Sequence, residues 1–115
     1  MTEIKDLTDI ATRFRDERDW KQFHSPKDMI LSLMIETSEL AEIFQFKTNE
    51  QIDAIISRHS KELGEELADV LYWVLVLAND LNVDLAQAFK QKMKVNEEKY
   101  PVSKARGQNT KYTEL

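Results

Sequence analysis

Apolar residues recur every three or four positions along most of this chain, which is the spacing of one face of an α-helix. The first such face is formed by Ile4, Leu7, Ile10, Ala11 and Phe14. It predicts a helix from about Glu3 to Glu17. Only two glycines and two prolines occur in the 115 residues, so the chain offers few turns. The pattern favours an all-α protein.

The start of the second helix is indicated by Ser25 followed by Pro26. Serine caps the free N–H groups of a helix, and proline is favoured in its first turn. We expect this helix to continue to about Phe46. The preceding segment, "RDWKQFHSP" (residues 18–26), breaks the helical period and predicts a loop. Residues 47–61 are polar and predict a connection that contains a short helix.

Two more helices complete the predicted fold. The densest apolar run predicts a third helix over about residues 60–81. Asp84, with Gln87 three residues later, indicates the start of a fourth. That helix should end near Tyr100, because the proline that follows disfavours helix at the residue before it. The polar tail, residues 101–115, is expected to be extended. Four helices joined by short connections predict one domain of the four-helix-bundle type over residues 1–115.

Composition excludes several classes of function. A net charge of −5 argues against DNA or RNA as a partner, because phosphate backbones need a basic surface. The chain has no cysteine, so thiol nucleophiles and thiolate metal sites are excluded. The most apolar run, "VLYWVLVLA", is far shorter than the ~20 residues that span a membrane. The charged first residues do not resemble a signal peptide. These features predict a cytoplasmic protein.

Four acidic residues interrupt the apolar faces of the second and third helices. On a helical projection, Glu36 lies within roughly 60° of Met29, Leu33, Leu40 and Ile43. Glu66 lies within roughly 60° of Leu63, Val70, Trp73 and Leu77 on the third helix. Glu39 and Asp69 follow at i+3 and border the same faces.

Such carboxylates need a partner, because an unpaired buried charge costs several kcal/mol. If the two helices pack side by side, all four converge and repel one another, which indicates a bound cation. Oxygen ligands alone suit Mg²⁺ or Mn²⁺. Buried ion pairs with lysine are the competing interpretation. A di-iron site is unlike this pattern, since neither His24 nor His59 has a glutamate three residues before it.

With its surroundings, the Glu36-x-x-Glu39 … Glu66-x-x-Asp69 pattern resembles the MazG-like all-α nucleoside triphosphate pyrophosphohydrolases. The segments "ERDWKQFHSP", "SELAEIFQFK", "EELADVLYWVLVLA", "VDL", "KMKVNEEKYP" and "KYTEL" are similar to the dCTP pyrophosphatase branch, in the same order along the chain.

The resemblance implies hydrolysis between the α- and β-phosphates, which gives a monophosphate and pyrophosphate. It also implies that the four acidic residues hold Mg²⁺, with Mn²⁺ as a substitute. Glu39, with Glu36 beside it, would orient or deprotonate the attacking water. Phosphate contacts would come from Lys92, Asn96 and Tyr100, whose i, i+4, i+8 spacing places them on one helix face.

The resemblance also implies a base pocket formed by Trp20, His24, Phe46 and Trp73. Aromatic faces stack on nucleobases at about 1–3 kcal/mol per base. Two departures affect this site. The chain has "FQFK" where the branch carries "FQWK", which predicts weaker stacking at Phe46. It also has "NEEKYP" where the branch is often arginine-rich, so fewer cations face the phosphates.

The resemblance also implies a homo-oligomer, a tetramer built as a dimer of dimers. The third helix is apolar nearly all round, which suits such an interface. The same feature supports the alternative that the chain is a non-catalytic helical module, binding a nucleotide or another protein.

Overall fold

The computed structural model describes residues 3–115, and every regular element in this range is helical. The helices are α1 (Ile4–Glu17), α2 (Pro26–Phe44), α3 (Asn49–Arg58), α4 (Ser60–Asp80), α5 (Leu85–Lys99) and α6 (Val102–Ala105). Short 3₁₀ turns occupy Lys21–Phe23 and Tyr112–Glu114. The all-α prediction is confirmed. None of the helices within residues 3–115 has the length and hydrophobicity of a membrane-spanning segment.

The chain divides into two compact units, of which the first extends to Asn82. In this unit α4 is the central helix, and α1, α2 and α3 all pack against it. The buried core joins one residue from each of three helices: Ala11 of α1, Met29 of α2 and Val76 of α4. These contacts align α2 and α4 side by side, as the interpretation of their acidic residues requires.

Helix α2 begins where the sequence predicts but ends two residues earlier. The Ser25 hydroxyl accepts a hydrogen bond from the N–H of Asp28 at 3.2 Å, which caps the first turn. The last helical residue is Phe44, not Phe46. Phe46 has a φ of +62°, the left-handed conformation that commonly ends a helix. The prediction missed this end because phenylalanine, unlike glycine, carries no signal for that conformation.

The connection between α2 and α4 contains the predicted short helix, α3. Its start is fixed by a reciprocal capping box. The Thr48 hydroxyl accepts from the N–H of Gln51 at 3.2 Å, and the Thr48 N–H donates to the Gln51 side-chain oxygen at 2.9 Å. These local bonds explain why a largely polar segment forms ten residues of helix.

The second unit spans Val83–Leu115. Asp84 caps α5 by accepting from the N–H of Gln87 at 3.1 Å, and α5 ends at Lys99, as predicted. The tail differs from the prediction, because it is not extended throughout. It contains α6 and the final 3₁₀ turn, and the rings of Tyr100 and Tyr112 meet edge to face at 5.8 Å.

Candidate active site

The packing of α2 against α4 brings three acidic side chains together. One carboxylate oxygen from each of Glu36, Glu39 and Glu66 lies within 4.8 Å of the other two. Glu36 and Glu66 are half-buried, and Glu39 is exposed. Glutamates three residues apart lie on one side of a helix, so α2 supplies two of these oxygens and α4 supplies the third.

The buried oxygens of this cluster are unsatisfied. Oε2 of Glu36 and Oε2 of Glu66 are buried, and neither has a hydrogen-bond partner among residues 3–115. Buried polar atoms are nearly always paired, so two orphans in one cluster need an explanation. Across the same residues, no lysine or arginine lies within ion-pair distance of the cluster. The described residues therefore give no support to the competing interpretation of buried ion pairs with lysine.

The negative charge of Asp69 also acts on this cluster. Burial raises the pKa of Glu36. The pKa is raised further by the close approach of the Glu39 side chain and by the negative charges of Glu39, Asp69 and Glu66. Asp69 is exposed and lies outside the three-residue set, yet its charge acts on Glu36. Acidic oxygens that repel one another and lack partners fit a hard divalent cation.

Beside α4, His24 and Trp73 form one aromatic contact. Their ring centroids are 5.1 Å apart, with the rings at 63°. Nδ1 of His24 is buried and has no hydrogen-bond partner in the described part of the chain. Burial lowers the pKa of His24, and the Arg15 charge lowers it further, while Asp80 opposes both. The imidazole is therefore neutral at neutral pH, with one donor and one acceptor nitrogen.

The His24–Trp73 contact is the end of a longer aromatic row. Trp20 meets Phe14 at 5.7 Å, Phe14 meets Tyr72 at 6.1 Å, and Tyr72 meets Trp73 at 5.1 Å, all edge to face. Trp20 therefore belongs to the same row as His24 but is separated from it by three rings. Phe14 and Tyr72 also line an apolar groove of about 460 Å³ between α1 and α4.

Asp69, whose charge acts on the cluster, and two rings of the aromatic row line that groove. Asp69 is one of its lining residues, together with Phe14 and Tyr72. A carboxylate and aromatic rings therefore lie on one surface of this unit.

The other predicted base-binding residue, Phe46, is not brought to this row. Its side chain is 93% exposed, beyond the end of α2. The predicted phosphate-binding residues lie in the second unit. Lys92 and Asn96 are one turn apart on α5, and Tyr100 follows the helix directly, with its N–H bonded to the Asn96 carbonyl at 2.8 Å.

Two polar residues that the sequence analysis did not single out are buried near His24. Arg15 is 1% exposed and donates to both carboxylate oxygens of Asp80, at 2.7 and 3.1 Å. The hydroxyl of Tyr72 is buried and, within residues 3–115, unpartnered. Arg15 had a signal in the sequence: it lies four residues after Ala11, on the apolar face of α1, just as Glu36 interrupts the apolar face of α2.

Comparison with known proteins gives consistent results. A family model of the MazG-like family matches residues 31–115. Bovine dCTP pyrophosphatase 1 is 42% identical over 97% of this chain and 68% of its own length, and the human protein is 41% identical over 97% and 67%. The crystal structure of a pyrophosphatase from Archaeoglobus fulgidus aligns with a TM-score of 0.80 and 38% identity, covering 88% of this chain and 94% of that one. The chain belongs to the MazG-like family.

Proposed function

We propose that this protein hydrolyses nucleoside triphosphates between the α- and β-phosphates, with dCTP preferred, and releases a nucleoside monophosphate and pyrophosphate. The observation that carries the proposal is the convergence of Glu36, Glu39 and Glu66, with two buried oxygens that have no hydrogen-bond partner within residues 3–115. The relatives named dCTP pyrophosphatase 1 and the fold shared with a pyrophosphatase support the reaction and the substrate.

In this proposal Glu36, Glu39, Glu66 and Asp69 hold Mg²⁺, with Mn²⁺ as a substitute. A bound divalent ion neutralises charge on the phosphates and acidifies water. Glu39 is the exposed member of the cluster, so its carboxylate is accessible to the attacking water and orients or deprotonates it. Glu36, on the half-buried side of the cluster, acts beside Glu39 as a ligand of the same ion. No covalent intermediate is required.

The base is bound at the aromatic row in this proposal. Burial lowers the pKa of His24, and its buried Nδ1 has no partner among residues 3–115, so it has hydrogen-bonding capacity for the edge of a base. Trp73 packs against His24 and limits its rotation. Trp20 lies 43% exposed at the open end of the row, where it has surface free for stacking. Phe46 is included as a base contact on the resemblance alone, since its side chain is 93% exposed.

We assign the phosphate contacts to Lys92, Asn96 and Tyr100 of the second unit. Lysine supplies a point charge, and the amide and the phenol supply hydrogen-bond donors. We also propose a homotetramer. It is supported by apolar side chains that remain exposed on α2 of the single chain: Ile30, Leu31, Met34 and Ile35. A second copy that covers them removes that apolar surface from water.

Product analysis tests the reaction. The protein is incubated with dCTP and Mg²⁺, and the products are separated by ion-exchange chromatography. We expect dCMP and pyrophosphate in equal amounts. Release of orthophosphate and dCDP would contradict the assigned bond, and the absence of any product would favour the alternative, a nucleotide-binding or protein-interaction module.

The variant Glu39→Gln tests whether Glu39 takes part in the reaction. We expect it to lose pyrophosphate release while its circular dichroism spectrum remains that of the wild type, because Glu39 is exposed and makes no core contact. Glu42→Gln is the matched control, since it removes an exposed carboxylate from the same helix, one turn away. Full activity of Glu39→Gln would remove this residue from the reaction.

A further inference from the structure

The ion pair between Arg15 and Asp80 joins the C-terminal ends of α1 and α4. Arg15 is in the last turn of α1, and Asp80 is the final residue of α4. Their side chains are 1% and 13% exposed, and both hydrogen bonds of the guanidinium fork are made. A bidentate pair fixes the orientation of both groups as well as their distance. The third guanidinium N–H, at Nε, donates to Asp16 at 3.3 Å.

Arg15 is also tied to His24 through the backbone. Its carbonyl accepts the N–H of Trp20 at 3.2 Å, where the chain leaves α1. The Trp20 carbonyl then accepts from Phe23 at 3.0 Å, and the Lys21 carbonyl accepts from His24 at 3.0 Å. A continuous path of short hydrogen-bonded turns therefore connects Arg15 to His24.

Asp80 is tied to Trp73 by α4 itself. The two residues are seven apart, which places them on the same face of the helix, about two turns from each other. The contacts thus form a closed circuit. Arg15 binds Asp80, α4 joins Asp80 to Trp73, the ring of Trp73 contacts His24, and the turn joins His24 back to Arg15.

We propose that Arg15 and Asp80 are positioning residues for base recognition: their fork closes this circuit and fixes His24 against Trp73. The inference rests on the proposed function, because it assumes that the His24–Trp73 wall contacts the base of a nucleoside triphosphate. Neither side chain touches the substrate in this role. The fork acts by holding the imidazole at one place and one angle, which a hydrogen bond to a base edge requires.

Two variants separate positioning from stability. Arg15→Lys keeps the charge but loses the planar fork. The double variant Arg15→Met with Asp80→Leu replaces the pair by apolar side chains, an exchange that commonly preserves or improves stability. If the pair were only structural, the double variant would behave as the wild type. Lys5→Met is the control, since it breaks an ion pair of α1 whose side chains are 82% and 54% exposed.

The measurement is kcat and KM for dCTP and for dTTP, with thermal unfolding of each variant. We expect both Arg15 variants to lose about tenfold in the ratio of kcat/KM for dCTP over dTTP, roughly the value of one hydrogen bond. The loss should appear in KM for dCTP, with kcat within about twofold, and the control should be unchanged. Wild-type selectivity in the double variant, or a loss confined to kcat, would overturn the inference and leave the proposed function standing.

Binding of dCMP, followed by tryptophan fluorescence without metal, tests the inference independently of turnover. If the wild type hydrolyses no triphosphate, the proposed function fails, and this titration alone then tests the positioning role. Binding weakened about tenfold in both Arg15 variants supports the positioning role at the value of one hydrogen bond. Equal binding in all variants, or no binding to the wild type, refutes it.

Discussion

Replacing Glu36 by glutamine should stabilise the metal-free protein and remove most of the stabilisation by Mg²⁺. Glu36 lies within 4.8 Å of two other carboxylates, and its buried oxygen is unpaired in the part of the chain that the structure describes. Its pKa is raised by burial and by these neighbours. The folded protein therefore binds a proton at Glu36 more readily than the unfolded chain does. Without metal, stability must fall as the pH rises from the ordinary pKa of glutamate through the raised one.

The size of the effect follows from the distances. Two unit charges 4.8 Å apart repel by about 1 kcal/mol in water and about 3 kcal/mol at an effective dielectric constant near 20. Exposure of Glu39 screens its share towards the lower value. We expect Glu36→Gln to raise the free energy of unfolding at pH 7 by about 1–3 kcal/mol, or roughly 3–15 °C in Tm for a chain of this length.

Mg²⁺ should stabilise the Glu36→Gln variant less than it stabilises the wild type. At a Mg²⁺ concentration 100 times the Kd, binding stabilises the wild type by about 2.7 kcal/mol. The variant loses one negative ligand, so its Tm should rise less than half as much at the same concentration. Circular dichroism melts with EDTA and across a Mg²⁺ titration, at pH 5 and pH 7, measure both effects.

Glu42→Gln is the control, because it makes the same change of net charge on the exposed side of α2. It should leave the Mg²⁺ response at the wild-type value and the metal-free Tm nearly so. A metal-free Glu36→Gln protein that melts below the wild type, or one that keeps the full Mg²⁺ response, would refute the argument from repulsion.

Three further substitutions test the fold and the base pocket. Met29→Ala should lower the free energy of unfolding by about 2–5 kcal/mol in urea titrations, because Met29 is 1% exposed and its loss leaves a cavity; a smaller cost would mean that the core collapses around it. Thr48→Ala should cost about 1 kcal/mol in the same assay by removing the cap of α3, and no cost would mean that α3 is held by packing alone. Phe46→Trp should lower KM for dCTP through a larger stacking surface, whereas an unchanged KM would place this exposed side chain outside the pocket.

The sequence predicted most helix starts because their causes are local. Ser25 and Asp84 each accept a hydrogen bond from an N–H three residues later, and that spacing is visible in the sequence. The end of α2 was misplaced because it depends on the left-handed backbone of Phe46, which the residue type does not indicate. The short helical turns of the tail were missed for a similar reason, since no apolar period marks them.

The acidic cluster was predictable from the sequence, but the contact between His24 and Trp73 was not. Glu36 and Glu66 interrupt apolar faces, and the packing of α2 on α4 follows from those same faces. His24 lies in a segment without helical period, and its contact with Trp73 depends on tertiary packing that no spacing encodes. Arg15 interrupts the apolar face of α1 as Glu36 interrupts that of α2. A search for cations on apolar helix faces would therefore have found it.

Two half-buried acidic side chains on α4, Asp80 and Glu66, lie in different electrostatic surroundings, and the difference supports the proposed site at Glu66. Burial alone would raise the pKa of Asp80, but hydrogen bonds from Arg15 and Asn79 bring it below its ordinary value. At Glu66 and its neighbour Glu36 no such cation is supplied from residues 3–115, and the pKa of Glu36 is raised. The fold thus neutralises the carboxylate that holds its helices together. It leaves uncompensated the pair Glu36 and Glu66, and in the proposed function a bound divalent ion would provide the missing charge.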